Sequence, residues 1–444
     1  MKKTLPALGF AIVLALLAEA VAAIDVAAID DAKLAASGIR KLSGQRLTLY
    51  TDLSGGEIDQ LPELFDQAFL QWCAYFRVKP EDLPKWHLTG CLMKNPSRFA
   101  RAGLLPDDLP PFEHGYSVGD RLWLNDQPSD YYRRHLLLHE GTHGFMNTVL
   151  GHCGPPWYME GIAEYLATHR WQDGRLTMAY TPANRDEAPM WGRVRLIQDA
   201  AAQNRRLTFS QVIAFPYDGR RENDFYAWCW AAASLLDRDP RFQKRFRQLI
   251  PWVAQPDFNE RFRRAFASDW TELYEAWTLM TAEMQYGYDP ARTAVDLTPG
   301  RPLKENARVT IAADRGWQNT GLRLEKGKNY ALTATGRFQI AHAATTDDRS
   351  SPKKKTWPCE PGGVSIRYYR GRPLGMLLAA VRPEEPARDG DSALLHPTAI
   401  GLGATLAPTE SGTLFLKIND APGELADNAG TLQVEVREQP TPSR

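Results

Sequence analysis

Apolar residues recur every three or four positions in five long windows of the first 290 residues. This period is typical of helices that bury one face. It predicts helices over residues 57–76, 131–149, 158–170, 223–237 and 270–285. Three shorter runs predict strands, at residues 46–50, 86–92 and 121–124. The first part of the chain is therefore expected to be an α/β domain, with a small sheet and a helical second half.

From about residue 297 the pattern changes to short runs in which polar and apolar residues alternate. Their spacing is typical of an all-β sandwich. These runs predict strands over residues 308–312, 330–335, 364–369, 377–381, 413–418 and 431–436. Prolines and few large apolar residues mark a linker between the two regions. We predict a multi-domain chain, with a first domain at 24–290, a linker at 291–302, a sandwich at 303–437 and a tail at 438–444.

The first residues have the pattern of a secretory signal peptide. Two lysines precede an apolar run at residues 5–21, and small residues follow it. This predicts a signal peptide over residues 1–23, cleaved near Ala22 or Ala23. The alternative is an uncleaved membrane anchor. We expect an exported protein, periplasmic or extracellular, with no integral membrane segment after cleavage.

Composition removes several other classes of protein from consideration. The chain has 444 residues, of which 43% are hydrophobic and 24% charged, which is unlike a disordered or collagen-like chain. Its 53 basic and 53 acidic residues balance, so no overall charge attracts nucleic acid. Because the 5 cysteines are an odd number, at least one is not paired within the chain. Cys73 and Cys91 fall in the same α/β segment and are candidates for one disulfide.

The sharpest chemical signal is the sequence His139-Glu140-Gly141-Thr142-His143, inside a predicted helix. Residues four positions apart lie on one helix face, so both imidazoles can reach one metal ion. Glu140 lies beside them, where its carboxylate can take a proton from metal-bound water. Catalytic metal sites usually have three protein ligands. The motif therefore predicts a third ligand elsewhere in the chain.

Glu160 is the predicted third ligand. It lies 17 positions after His143, in a second predicted helix that follows a turn-rich stretch at residues 151–156. Two antiparallel helices would bring Glu160 to the metal and leave one position open for water. Glu164, one turn later, is expected to accept the second ring N–H of a ligand histidine. His135 shares the histidine face one turn earlier and is expected to support the site or the fold rather than bind the metal.

The alternative is a helix with two ordinary, half-buried histidines and an acidic residue near a helix N-terminus, which the helix dipole favours. Gly141 argues against this alternative, because glycine inside a helix costs ~1 kcal/mol relative to alanine. The missing side chain at Gly141 predicts close approach of a neighbouring helix or of the substrate.

The HExxH motif at residues 139–143 and the Trp-x-x-Glu-Gly-x-x-Glu pattern at 157–164 resemble the gluzincins, the peptidase MA-like zinc metallopeptidases. The resemblance implies a gluzincin-like α/β domain in which the two histidines and Glu160 bind zinc and Glu140 is the general base. The metzincin pattern would need a third histidine six positions after the second, where this chain has Val149.

Two further features follow from the same resemblance. In gluzincins an edge strand before the active-site helix pairs with the extended substrate backbone, which implies peptide binding by strand addition at residues 121–124. Tyr226 lies in a predicted helix beside Trp228 and Trp230. Its phenol is the candidate that stabilises the developing oxyanion. The alternative for this aromatic group is core packing.

The loop between the last two predicted strands concentrates carboxylate and amide oxygens, the ligands that Ca²⁺ prefers. With residues 317–321 and 336–338, it resembles the galactophilic PA-I type lectin domain. The resemblance implies an all-β jelly-roll sandwich with a backbone-carbonyl ligand near residue 340 and these side-chain calcium ligands: Asp420, Glu424, Asp427 and Asn428. The chain departs from the lectin, since Glu424 replaces a threonine and residues 351–360 lack the sugar-contacting His and Gln. The alternative is a loop whose side chains only cap turn backbone.

Together these features predict an exported zinc metallopeptidase that hydrolyses peptide bonds, with an accessory calcium-binding, lectin-like domain for targeting. Its expected partners are peptide or protein substrates and glycans or glycoproteins, and not nucleic acid. Two alternatives stay open. One is a non-catalytic glycan-binding protein with a vestigial peptidase domain, and the other is a peptidase restricted to glycosylated substrates.

Overall fold

The computed structural model describes residues 30–216, 223–342, 355–384 and 391–440. The predicted signal peptide and the end of the predicted tail lie outside these residues. The chain forms two compact units. The first contains the residues up to 149 together with 173–176, and the second contains 150–172 and the residues from 177 onward.

The first unit contains a mixed five-stranded sheet and five helices. The strands are β1 (Arg40–Ser43), β2 (Leu47–Thr51), β3 (Leu88–Met93), β4 (Gly115–Val118) and β5 (Arg121–Asn125), in the order β1-β2-β3-β5-β4. The helices are α1 (Asp31–Ala36), α2 (Gly56–Asp59), α3 (Leu61–Phe76), α4 (Pro96–Arg101) and α5 (Asp130–Phe145). The three central strands run parallel, and their mostly buried, apolar residues are typical of such strands.

Strand β4 forms one edge of this sheet and pairs antiparallel with β5. The prediction of an edge strand at residues 121–124 was therefore wrong, because β5 is bordered by β3 on one side and by β4 on the other. The two-residue turn at Gly119-Asp120 joins β4 to β5 as a hairpin, with Gly119 at φ 55°.

Helix α5 packs against α3 at a glycine. A Cβ added at Gly141 would lie 2.6 Å from the ring of Phe65 and 2.7 Å from that of Trp72. The indole N–H of Trp72 donates a hydrogen bond of 3.0 Å to the hydroxyl of Thr142. The hydroxyl of Thr142 in turn donates to the carbonyl of Leu138. Gly141 is thus explained by the close approach of a neighbouring helix, and the motif helix is held in a fixed orientation on the first unit.

The second unit begins with helices and short strands. The helices are α6 (Pro156–Ala167), α7 (Arg193–Ala202), α8 (Phe209–Ile213), α9 (Asn223–Arg238), α10 (Gln243–Arg247), α11 (Phe258–Ala265), α12 (Trp270–Glu283) and α13 (Pro290–Thr293). Two short strands are β6 (His169–Gln172) and β7 (Arg175–Met178), and the first two residues of β7 belong to the first unit. Helices α6 and α9 approach closely, because a Cβ on Gly161 would lie 2.7 Å from the carbonyl oxygen of Cys229. The phenol of Tyr165 donates to Asp237 of α9.

The remaining strands form two larger sheets and a hairpin. They are β8 (Arg301–Pro302), β9 (Ala307–Ala312), β10 (Gln318–Leu324), β11 (Asn329–Thr335), β12 (Phe338–His342), β13 (Lys355–Cys359), β14 (Gly362–Tyr369), β15 (Arg372–Pro383), β16 (Thr398–Ala399), β17 (Gly403–Leu406), β18 (Gly412–Ile418) and β19 (Thr431–Gln439). One sheet has the order β14-β15-β18-β10-β8, with β16 also on β15, and the other β17-β11-β19-β9. Both sheets contribute to one apolar core, which includes Leu324, Leu332, Leu414 and Val434.

Helix α12 packs against this β region through a buried polar contact and an apolar cluster. The carboxylate of Glu275 accepts hydrogen bonds from Arg382 (2.5 Å) and Ser392 (2.8 Å). Leu279 of α12 joins a cluster of buried residues that also contains Val295 and Leu297, Trp317 and Phe415. Two residues of the predicted linker are therefore buried, while the predicted domain boundaries stay a prediction.

The predicted mixture of helices and several sheets is confirmed, and each predicted helix and strand overlaps an observed one. The candidate disulfide between Cys73 and Cys91 does not form, and both thiols are buried. Burial raises the pKa of Cys91 to about 12 and that of Cys73 to about 11, as expected of unreactive interior thiols. No helix among the described residues has the length and apolar character that crossing a membrane requires.

Candidate metal centre

Helix α5 presents the two histidines of the motif on one buried face. Its N-terminus is capped by Ser129, whose side chain accepts a hydrogen bond from the backbone N–H of Tyr132. His139 and His143 are 5% and 8% exposed. Their Nε2 atoms lie 3.1 Å apart. Two nitrogen ligands at about 2.0–2.1 Å from one tetrahedral metal ion would be about 3.3 Å apart, so the two rings are spaced for a shared ion.

Glu160 lies in α6, whose first residue is a proline. Proline is well tolerated at this position, because the backbone N–H of the first helical residue has no partner within the helix. The preceding segment of the helix is anchored by Trp157, whose indole N–H donates to the side chain of Asn259 at 2.8 Å. Glu160 is 2% exposed. A buried carboxylate needs a compensating charge or a metal, because burial alone disfavours its ionised form.

The three predicted metal ligands are all buried. His139 and His143 belong to the first unit and Glu160 to the second. Two imidazoles with one carboxylate form a donor set that suits a divalent metal ion. The chemistry of these residues therefore fits a metal, and the ligand set stays a prediction.

Glu140, the predicted base, points to strand β4. Its carboxylate oxygen Oε2 accepts a hydrogen bond of 2.7 Å from the hydroxyl of Ser117. A Cβ added at Gly115 would lie 2.7 Å from the other oxygen, Oε1. Burial raises the pKa of Tyr116, and the nearby charge of Glu140 raises it further. The carboxylate of Glu140 therefore lies against edge strand β4.

Glu164 makes a buried ion pair within the second unit. The guanidinium of Arg193, the first residue of α7, donates from Nε and from Nη2 to the two carboxylate oxygens, each at 3.0 Å. Arg193 also lies over the ring of Tyr226, with 5.4 Å between the guanidinium carbon and the ring centroid. Tyr226, the predicted oxyanion stabiliser, thus lies beside Arg193. Its catalytic role stays a prediction.

His135 lies one turn before His139 on α5 and is fully buried. The centroid of its ring lies 6.2 Å from that of His139, and the ring stacks on that of Tyr132, with centroids 5.6 Å apart. Its expected supporting role stays a prediction.

The predicted calcium loop follows β18. The carboxylate of Asp420 accepts hydrogen bonds from the backbone N–H of Ala421 and from the amide of Asn428, both at 2.7 Å. The buried Oδ1 of Asn428 has no hydrogen-bond partner among the described residues. The pKa of Asp420 is raised to about 7, mainly by burial and also by the negative charges of Glu424 and Asp427, although the two hydrogen bonds lower it in part.

This loop is not a closed set of acidic ligands. Within the part of the chain that the structure describes, the ligand atoms of Asp420, Glu424 and Asp427 do not form a group within 4.8 Å. The predicted backbone ligand near residue 340 lies on β12, where the carbonyl of Gln339 accepts from the N–H of Ala429. The four predicted side chains are therefore on one loop, with Asp420 and Asn428 in direct contact.

Three residues of the site were missing from the predictions: Gly115, Ser117 and Arg193. The Gly119-Asp120 dipeptide between two strand-like runs is a hairpin signal that would have revealed β4. No sequence signal identifies Arg193, because its partner Glu164 is 29 positions away in another helix.

No protein-family model matches this sequence, and no curated protein matches it either. Solved structures with a weak likeness include the N-terminal domain of EclA, a PllA-like lectin, with 19% identity over 31% of this chain and 100% of that chain, and a TM-score of 0.21. The IMPa metallopeptidase from Pseudomonas aeruginosa is 12% identical over 81% of this chain and 38% of that chain, with a TM-score of 0.17.

A further structure of IMPa, in complex with an O-glycopeptide, is 14% identical over 63% of this chain and 27% of that chain, with a TM-score of 0.16. The chain thus spans less than half of that metallopeptidase.

Proposed function

We propose that this chain is an exported zinc-dependent peptidase in which His139, His143 and Glu160 hold the metal and Glu140 is the general base. The observation that carries the proposal is the buried histidine pair, whose Nε2 atoms lie 3.1 Å apart on one face of α5. Two histidines and a glutamate would leave room for one further ligand on zinc, as catalytic zinc sites do.

When bound, zinc supplies a Lewis acid that polarises the substrate carbonyl and lowers the pKa of water. Glu140 accepts the proton of the attacking water and then delivers it to the leaving amine, so that the proton balance of peptide hydrolysis closes. Its position between the histidine pair and edge strand β4 supports this role.

Edge strand β4 is the proposed place where the substrate backbone binds. An edge strand has unpaired N–H and C=O groups, and an extended peptide can add to them as a further strand. β4 lies at the sheet edge and also touches the proposed base through Ser117. Tyr226 is proposed to stabilise the oxyanion, and Glu164 to orient a ligand histidine, with Arg193 fixing its carboxylate.

The loop at residues 420–428 is proposed to bind Ca²⁺. The buried, unpaired oxygen of Asn428 beside the carboxylate of Asp420 supports this proposal, because Ca²⁺ prefers amide and carboxylate oxygens. The β region would then act as the accessory targeting domain, with glycans or glycoproteins as its ligands.

The direct test is cleavage of a protein mixture by the full chain and by Glu140→Gln, with new N-termini labelled and identified. Wild type should generate cleavage sites that Glu140→Gln does not, while both bind about one equivalent of zinc, because Gln cannot accept the proton. Glu63→Gln, an exposed change on α3, is the control and should match wild type.

The same experiment separates the two alternatives. A peptidase restricted to glycosylated substrates would cleave the mixture only before enzymatic deglycosylation. A vestigial peptidase domain would give the same peptides with wild type and Glu140→Gln, and that result would overturn the proposal.

A further inference from the structure

Ser117 holds the carboxylate of the proposed general base. The hydroxyl of Ser117 donates to Oε2 of Glu140 at 2.7 Å, a normal length for a hydroxyl donor. Among the described residues, it is the only hydrogen-bond donor to this carboxylate. A glutamate side chain rotates about three bonds, so one strong contact largely decides where its two oxygens lie.

Gly115 leaves room for the second oxygen. Residues two apart on a strand share one face, and Gly115 and Ser117 are two apart on β4. A Cβ on Gly115 would come within 2.7 Å of Oε1 and 3.0 Å of Cγ of Glu140. A side chain at this position would therefore displace the carboxylate.

We infer that Ser117 and Gly115 are positioning residues for the base: Ser117 fixes one oxygen of Glu140, and Gly115 keeps space for the other to receive the proton. The inference rests on the proposed function and deepens it, because it assigns the edge strand a second task beside substrate binding. In this assignment the backbone of β4 binds the substrate, whereas the Ser117 hydroxyl and the missing side chain at Gly115 act through Glu140.

The test compares the zinc-loaded full chain with three variants and a control. Ser117→Ala removes the donor, Ser117→Thr retains a hydroxyl, and Gly115→Ala adds the Cβ. Ser43→Ala, on the strand at the opposite edge of the same sheet, is the matched control. Zinc equivalents and the thermal midpoint are measured together with kcat and KM for a peptide identified as a substrate.

Ser117→Ala should keep about one equivalent of zinc and the wild-type thermal midpoint. It should lower kcat about 10- to 100-fold, because a misplaced base loses part of the rate enhancement that proton transfer contributes. KM should change less than about twofold, since uniform binding is intact. Ser117→Thr should recover most of kcat. Gly115→Ala should lower kcat to a similar extent while folding normally, because the clash falls on the mobile end of a side chain.

A second readout needs no substrate. Acetohydroxamate binds active-site zinc and its hydroxyl can donate to a nearby carboxylate, so its affinity, measured by calorimetry, reports where the carboxylate lies. It should fall about tenfold in Ser117→Ala, the scale of one hydrogen bond to a charged group. If wild type cleaves nothing, the proposed function fails, yet this measurement still decides the positioning.

Wild-type kcat and wild-type hydroxamate affinity in Ser117→Ala would overturn the inference. So would a parallel loss of zinc, midpoint and activity, because Ser117 would then hold the fold rather than the base.

Discussion

The guanidinium of Arg193 donates two hydrogen bonds, each 3.0 Å long, to the two carboxylate oxygens of Glu164. Both side chains are buried. A two-point contact fixes the plane of the carboxylate as well as stabilising its charge. Arg193 therefore holds the buried carboxylate of Glu164 in one orientation.

Arg193→Met should destabilise the protein by about 3–5 kcal/mol, because it removes both guanidinium hydrogen bonds from the buried carboxylate of Glu164. Urea denaturation of the metal-free protein measures the change. The double variant Arg193→Met with Glu164→Gln should recover much of the loss, because the group that loses the guanidinium is then neutral.

Arg195→Met is the matched control in the same helix. Arg195 pairs with Asp199 at the surface, where a salt bridge contributes about 0–1 kcal/mol. Equal destabilisation by the two arginine variants would mean that the Glu164 pair has no special energetic role.

Glu160→Ala should lose the metal. Two histidines alone form an incomplete set of ligands, so zinc affinity should fall by more than the roughly 10–100-fold expected for a residue that only supports a ligand. Zinc retained after dialysis is measured by atomic absorption, beside Glu63→Ala as a surface control. A stoichiometric zinc content in Glu160→Ala would assign the third ligand to another residue.

Gly161→Ala should destabilise the chain by about 1–3 kcal/mol through overpacking. The added Cβ would lie 2.7 Å from the carbonyl oxygen of Cys229, and backbone of α9 cannot move aside as a side chain can. Gly56→Ala, where no atom lies within 4 Å of the added Cβ, is the control and should be neutral or slightly stabilising. If the two variants have the same midpoint in thermal unfolding, the contact of α6 with α9 is looser than described.

The helices and most central strands were predictable because the spacing of their apolar residues reflects burial on one face or on both. The histidine pair was predictable for the same reason, since four residues make about one helical turn. The choice of Glu160 as third ligand depends on two helices packing antiparallel, and it stays a prediction.

What the sequence did not reveal depends on contacts between distant positions. β4 is four residues long and half-buried, so its pattern is too short to stand out beside β5. The pair of Arg193 and Glu164 joins two helices, and neither residue has a local signature. Cys73 and Cys91 are close in the chain, but closeness in sequence does not set the distance between two side chains.

The ionisation of Asp420 should make the effect of calcium on stability depend on pH. In the calcium-free protein its pKa is raised to about 7 from an ordinary 3.8, because burial disfavours the ionised form. The folded state then binds more protons than the unfolded state between about pH 4 and 7, so this group's contribution to stability falls as pH rises through that range. A cation beside the ionised carboxylate should cancel this loss.

Calcium should therefore raise the thermal midpoint more at pH 8 than at pH 5, where protons compete for Asp420. At 100 times the dissociation constant, the stabilisation at pH 8 is about 2.7 kcal/mol. The measurement uses the zinc-depleted full chain with added calcium or with chelator, so that the chelator acts on calcium alone. Asp420→Asn should remove both the calcium effect and most of the decline with pH, because the amide does not titrate. Identical midpoints with and without calcium at pH 8 would show that the oxygens of Asp420 and Asn428 satisfy only the loop itself.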